Sequence, residues 1–161
     1  MLHSFDEMPD SSRMWIYQAD RPFTTDELLQ IDQEARNFVN SWAAHGQGLK
    51  AAFKVEHNQF IVLAVDETYH PASGCSIDDS VGFIRNLEQK LGVALLNRSN
   101  VALYKGGVVE IRPLKEIKSS IEAGEIDRET LVFNGFINNL KDFRNSWTQP
   151  AEDSWMSKYF V

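Results

Sequence analysis

Phe60-Ile61-Val62-Leu63-Ala64-Val65 decides the fold, because an uninterrupted apolar run of this length is typical of a strand covered on both faces. The residues before it, from Leu49 to Val55, alternate between apolar and polar side chains, which is the period of a half-buried strand. The short segment His57-Asn58 between them is predicted to form a turn. The sequence therefore predicts a hairpin whose second strand is central in its sheet.

Two helical patterns flank this hairpin. The segment Thr24-Thr25-Asp26-Glu27 has the spacing of a capping box, and apolar residues then recur every three or four positions from Leu28 to Trp42. A second capping box is predicted at Ser76 and Asp79, followed by an apolar stripe from Ile77 to Leu91. This second helix start would leave Cys75 just outside the cap, as a buried small apolar group.

The remaining segments of the core are strands. Arg13 to Gln18 is rich in apolar and aromatic residues and stops before Pro22. Val101 to Lys105 and Val108 to Arg112 flank a Gly-Gly pair, which predicts a tight hairpin.

The chain from Pro113 onward has a different character. It contains a predicted short helix at Leu114 to Glu122, a strand or extended segment at Thr130 to Phe133, and a helix at Asn139 to Trp147. The start of the chain, Met1 to Ser12, shows no periodic apolar pattern, and we expect a mobile or loosely docked arm.

The order of these elements predicts an α+β fold. Strand, helix, strand, strand, helix, strand matches the ferredoxin-like split β-α-β motif, with one more hairpin strand at an edge. We expect this core over residues 13–112, a helical, aromatic-rich C-terminal extension over residues 113–161, and a single domain spanning residues 1–161.

Composition excludes several classes of function. The 161-residue chain carries 16 basic and 23 acidic residues, a net charge of −7. This balance disfavours nucleic-acid binding and docking on an anionic membrane, and no apolar run is long enough to span a bilayer. The single cysteine and an N-terminal decapeptide without Lys or Arg predict a cytoplasmic protein.

The loop over residues 66–79 concentrates the reactive side chains. As a ligand-binding loop it would use the following residues: Asp66, Glu67, Tyr69, His70, Ser73 and Ser76. As a catalytic loop it would use Cys75 with His70 as its base, and Asp66 and Glu67 nearby. The alternative interpretation is structural, because turns favour Asp, Pro, Ser and Gly, and because Asp78 and Asp79 suit the first turn of a helix.

No motif indicates a metal or a cofactor. The four histidines are scattered, and neither an H-E-x-x-H nor a paired C-x-x-C pattern occurs. We expect a homodimer or a protein partner to use a sheet edge or the C-terminal aromatics, which otherwise complete the core: Phe143, Trp147, Trp155, Tyr159 and Phe160.

Two stretches carry a resemblance to a known family. They are Val65 to Asp78, with Gly74-Cys75-Ser76-Ile77-Asp78, and the tail with Thr130 to Asn134 and Asp153-Ser154-Trp155. They resemble a family of small bacterial proteins of uncharacterised function that are often labelled as ATPase components of ABC transporters. The resemblance implies a shared fold over most of the chain and transfers no catalytic residue.

The sequence departs from what the ATPase label requires. It has no G-x-x-x-x-G-K-[S/T] loop to cradle phosphates, and Lys105-Gly106-Gly107 is predicted to form a hairpin turn. We therefore expect no nucleotide hydrolysis. Two interpretations of function remain: a non-catalytic interaction or ligand-binding module, and a thiol-dependent or hydrolytic enzyme that uses Cys75 and His70.

Overall fold

The computed structural model describes residues 1–161 and has an α+β fold with three antiparallel sheets. The strands are β1 (Arg13–Gln18), β2 (Ala43–Ala44), β3 (Gln47–Gly48), β4 (Ala51–Glu56), β5 (Phe60–Val65), β6 (Asn100–Lys105), β7 (Val108–Pro113), β8 (Leu131–Phe133) and β9 (Thr148–Pro150). The α-helices are α1 (Thr25–Ser41), α2 (Gly74–Leu91), α3 (Ile117–Glu122) and α4 (Leu140–Ser146).

The chain divides into two compact units, and neither is continuous in sequence. The first unit contains Met1–Leu96 and Ile137–Phe143, and the second contains Asn97–Phe136 and Arg144–Val161. No helix is both long enough and apolar enough to cross a membrane.

The first unit is built on a three-stranded sheet in the order β1-β5-β4. Every residue of β5 is buried, which confirms that the run from Phe60 to Val65 is the central strand. The hairpin turn lies at His57 and Asn58, whose φ angles are both near +50°, a region that Asn tolerates better than most residues.

Two helices share one apolar core with this sheet. Ile31 and Val39 of α1, Ile84 and Leu87 of α2, and Leu63 of β5 are all fully buried in it. The predicted capping box of α1 is confirmed, because Thr24 accepts a hydrogen bond from the backbone of Glu27 and Glu27 accepts one from the backbone of Thr24. The predicted apolar face of α1 is therefore the face that covers the sheet.

The N-terminal segment, expected to be a mobile or loosely docked arm, is docked on β4 through backbone hydrogen bonds and buried side chains. Ala51 of β4 donates to the carbonyl of Met1 at 3.1 Å and accepts from the backbone of His3 at 2.7 Å. Phe5 and Met8 are buried, and Phe5 makes an edge-to-face contact with Phe143. Two apolar anchors and two strand-like hydrogen bonds hold a segment whose sequence has no period of its own.

The second unit is built on a four-stranded sheet in the order β7-β6-β8-β9. Gly106 and Gly107 have φ angles of +57° and +80°, so the predicted Gly-Gly hairpin turn between β6 and β7 is confirmed. Leu103, Ile117, Ile126 and Val132 form the centre of its core. The helices and the strand predicted in the tail occur as α3, α4 and β8.

The ferredoxin-like arrangement is not confirmed. The order β1-β5-β4 matches three of its strands, but β6, the fourth predicted strand, pairs with β7 and β8. The edge of β1 is instead contacted by residues from the tail: Arg13 bridges Asn139, and Met14 donates to the carbonyl of Asn138 at 3.0 Å.

Candidate functional site

Asp66 begins the loop after β5 and is buried there. Its carboxylate accepts hydrogen bonds from the backbone and the hydroxyl of Thr68 and lies 3.3 Å from the ammonium of Lys50. The hydrogen bond from the Thr68 hydroxyl, helped by the Lys50 charge, lowers the pKa of Asp66 from its ordinary value. This carboxylate is fully engaged in closing the turn.

Glu67 closes the other side of the same loop. Its carboxylate accepts a hydrogen bond from the backbone of Ala72 at 3.0 Å and lies 3.9 Å from the guanidinium of Arg13. Both acidic candidates therefore have partners inside the first unit.

The start of α2 differs from the prediction. Ser73, not Ser76, is the N-cap, and the two serines cap each other through mutual side-chain to backbone hydrogen bonds. The helix gains almost a turn at its start, so Asp78 and Asp79 lie beyond its first turn. Cys75 becomes a helical residue with an exposed side chain, and the expectation that it is buried is wrong.

The other loop candidates do not converge on Cys75. His70 places a ring nitrogen 2.9 Å from the carbonyl of Pro71, and Tyr69 is half exposed. No hydrogen bond joins His70 to Cys75, although a thiol nucleophile and its base need that contact. Nowhere in the chain do three or more His, Cys, Asp or Glu side chains come together in a way that could hold a metal ion.

The C-terminal aromatic residues pack inward to different degrees. Phe143 and Trp147 are buried, and Trp147 packs against Phe133. Trp155, Tyr159 and Phe160 are half-buried and pack against the core of the second unit.

A groove of about 700 Å³ lies along the outer edge of β4, and sequence reasoning missed it. Its lining residues come from the N-terminal segment, α1 and β4: Leu2, His3, Ser4, Phe5, Asp6, Leu28, Asp32, Arg36, Phe53, Lys54 and Val55. All of them belong to the first unit.

The floor of this groove is unpaired backbone. The carbonyl oxygen of Lys50 accepts a hydrogen bond from the backbone N–H of Asp66, with an N to O distance of 2.9 Å. The even-numbered residues of β4 therefore direct their backbone groups toward β5. The backbone groups of the odd-numbered residues point away from β5, toward the outer edge of the sheet. Ala51 uses its outward groups on the N-terminal segment, but those of Phe53 and Val55 have no hydrogen-bond partner.

The walls of the groove are partly apolar and electrically balanced. On one side the Arg36 guanidinium lies 5.8 Å from the Phe53 ring and bonds to Asp32 at 2.8 Å. On the other side Lys54 lies 5.7 Å from the Phe5 ring and 3.1 Å from Glu56. Each cation of the groove therefore has an acidic partner within the first unit.

The groove could not be found from the sequence because one of its walls is the N-terminal segment. That segment has no helical or strand period of its own, and contacts with residues distant in sequence, among them Ala51 and Phe143, hold it in place. The alternation from Leu49 to Val55 predicts the strand, but it carries no information on which edge of the strand has unpaired backbone groups.

Comparison of the chain with protein-family models, with curated proteins and with solved structures found no match in any of the three.

Proposed function

We propose that the protein is a non-catalytic interaction module that binds an extended peptide segment along the open edge of β4. The observation that carries the proposal is the pair of unpaired backbone positions, Phe53 and Val55, in the floor of the groove. An exposed strand edge of this kind recruits a further strand through main-chain hydrogen bonds.

The geometry of the edge defines the ligand. The N-terminal segment occupies the Ala51 end and the turn begins at His57, so the open part runs from Phe53 to Glu56. A bound strand would place alternate side chains beside Phe53, Val55 and Leu28. The ligand is therefore a short extended segment with apolar residues at alternate positions, and its affinity comes from backbone and apolar contacts.

The test uses a synthetic nonapeptide with valine at alternate positions and threonine between them. Its matched control has the same side chains but carries N-methyl groups on alternate amides, which removes the donors. We expect the first peptide to shift the amide resonances of Phe53 and Val55 and to slow their hydrogen exchange, and the control to do neither. Absence of these shifts up to about 1 mM peptide would contradict the proposal.

A protein variant sharpens this experiment. Val55→Pro removes one outward N–H and leaves the ladder to β5 intact, because the backbone of Val55 points away from β5. We expect it to weaken peptide binding at least about fivefold, which corresponds to one hydrogen bond of about 1 kcal/mol. Val55→Thr keeps the N–H and is the control.

One observation favours the second candidate, a thiol-dependent enzyme: Cys75 is exposed at the start of α2. Its assay is the second-order rate of labelling by a small alkylating reagent, measured on the folded chain across pH 5 to 9 and compared with the chain in urea. A folded chain that reacts much faster than the unfolded chain below pH 7 would favour the enzyme, and equal rates would favour the module.

A further inference from the structure

A second open strand edge lies in the second unit, at β7. β7 is the terminal strand of its sheet and pairs only with β6. Leu114 donates to the carbonyl of Ser99 at 2.8 Å, so the even-numbered residues of this strand are those that bond to the β6 side. The backbone groups of Val109 and Ile111 therefore point away from the sheet, and none has a hydrogen-bond partner.

The side chains along this edge are apolar at its ends and charged near its centre. Val108 is 65% exposed and Leu114, directly after the strand, is 49% exposed. Glu110 and Arg112 lie between them on one face, where the Arg112 guanidinium lies 2.7 Å from the Glu110 carboxylate. A long edge with exposed apolar residues and no blocking proline before Pro113 is open to pairing with another strand.

Charge alone selects one antiparallel register for two copies of β7. The outward backbone groups of two antiparallel copies can bond only where odd-numbered residues face odd-numbered residues. Near the centre of the strand, this condition is met when Glu110, Ile111 or Arg112 lies opposite its own copy. If Glu110 or Arg112 faced its own copy, two like charges would oppose each other. If Ile111 faces Ile111, each Glu110 faces Arg112 of the second copy.

This register also uses the available donors and acceptors. Ile111 exchanges two hydrogen bonds with Ile111 of the second copy, and each Val109 donates one to the carbonyl of Pro113 opposite it. Proline lacks an N–H, and at this position none is required by the β6 ladder. The exposed Val108 end of one strand comes beside the exposed Leu114 end of the other.

We propose that the chain forms a symmetric homodimer through β7, antiparallel and with Ile111 opposite Ile111. The two four-stranded sheets then form one sheet of eight strands. The partner is a second copy because the charge pattern of this edge is complementary to itself in this register. The proposal is independent of the peptide groove, which lies in the first unit.

The first test is charge reversal, followed by sedimentation equilibrium from about 1 µM to about 1 mM protein. We expect the wild-type chain to dimerise, Glu110→Arg and Arg112→Glu each to weaken association at least tenfold, and a mixture of the two variants to form a heterodimer. Glu129→Arg is the charge-matched control on an exposed residue of the same unit and leaves the dimer intact. A wild-type chain that stays monomeric, or a dimer unaffected by Glu110→Arg, would overturn the proposal.

The second test determines the register and does not depend on the stability of the Arg112 variant, whose loss of contacts with Ser120 and Glu125 could affect folding. In a Cys75→Ser background, Ile111→Cys should form a disulfide-linked dimer on mild oxidation, because facing residues of this type have Cα atoms about 5.5 Å apart. Val109→Cys, which faces Pro113, should not. Equal cross-linking at both positions, or cross-linking at Val109 alone, would contradict this register.

Discussion

Among single residues, Glu27 shows how one carboxylate serves both local and long-range structure. It accepts two hydrogen bonds from the Arg21 guanidinium, at 2.8 and 2.9 Å, and one from the backbone of Thr24. Arg21 also donates to the carbonyl of Leu91 at the end of α2. Glu27 therefore caps α1 and orients the side chain that reaches the other helix.

This arrangement makes stability depend on pH. The hydrogen bonds from Arg21, and then that from Thr24, lower the pKa of Glu27 to about 2. Because its folded pKa is depressed, the contribution of Glu27 is complete above the ordinary carboxylate pKa near 4.5 and is lost as the pH falls toward 2. We expect Glu27→Gln to lower the free energy of unfolding by about 1 kcal/mol at pH 7 and much less at pH 2.5. Urea unfolding at both pH values measures this difference, and an equal loss at both would refute it.

Directly after α1, its C-cap residue Trp42 joins both helices to the sheet. Trp42 is 2% exposed, packs against Trp15 and Phe38, and donates from its indole N–H to the carbonyl of Ser76 at 2.8 Å. The apolar stripe of α1 predicted the burial of Trp42. The stripe carries no information on its hydrogen bond, because that bond depends on where α2 begins.

We expect Trp42→Ala to lower the free energy of unfolding by about 3–5 kcal/mol, since it leaves a large cavity between the helices. Trp42→Phe keeps most of the volume and removes the indole donor, so we expect a smaller loss of about 1–2 kcal/mol. Leu29→Ala, at an exposed position of the same helix, is the control and should change stability by less than about 0.5 kcal/mol. Chemical denaturation of the three variants gives these values, and an unchanged midpoint for Trp42→Ala would contradict the assignment.

The two helix starts show how far local sequence patterns can be read. Thr24 and Glu27 offered one capping box, and the structure uses it. Around the second helix, Ser73 and Ser76 compete with Ser76 and Asp79 for the same role, and the chain adopts the earlier pair. The earlier cap was hidden because its N3 residue is a serine rather than the Glu or Gln of the usual pattern. The error in one cap changed Cys75 from buried to exposed.

For the whole molecule, the sequence predicted which segments are strands far better than which strands are neighbours. The hairpins at His57-Asn58 and Gly106-Gly107 follow from short turns, which force adjacent strands together. No local pattern predicts that Asn138 and Asn139 contact β1, because this pairing joins residues more than 120 positions apart in the sequence. The candidate groove was missed for the same reason, since it depends on a distant contact between Phe5 and Phe143.

The first unit therefore needs the short segment Ile137–Phe143, and this requirement gives a test at the level of the whole chain. Within that segment Leu140 is fully buried, and Ile137 and Phe143 are each 9% exposed. Burial of three such side chains contributes roughly 4.5–9 kcal/mol, at about 1.5–3 kcal/mol each. This range overlaps the total stability of a typical domain, about 5–15 kcal/mol.

We expect a chain truncated after Leu96 to lack a cooperative thermal transition by circular dichroism, and a synthetic peptide of residues 135–146 added in excess to restore part of it. The same peptide with Leu140 replaced by Asp is the control and should restore nothing. A truncated chain that unfolds cooperatively on its own, at the midpoint of the full chain, would show that this segment is dispensable.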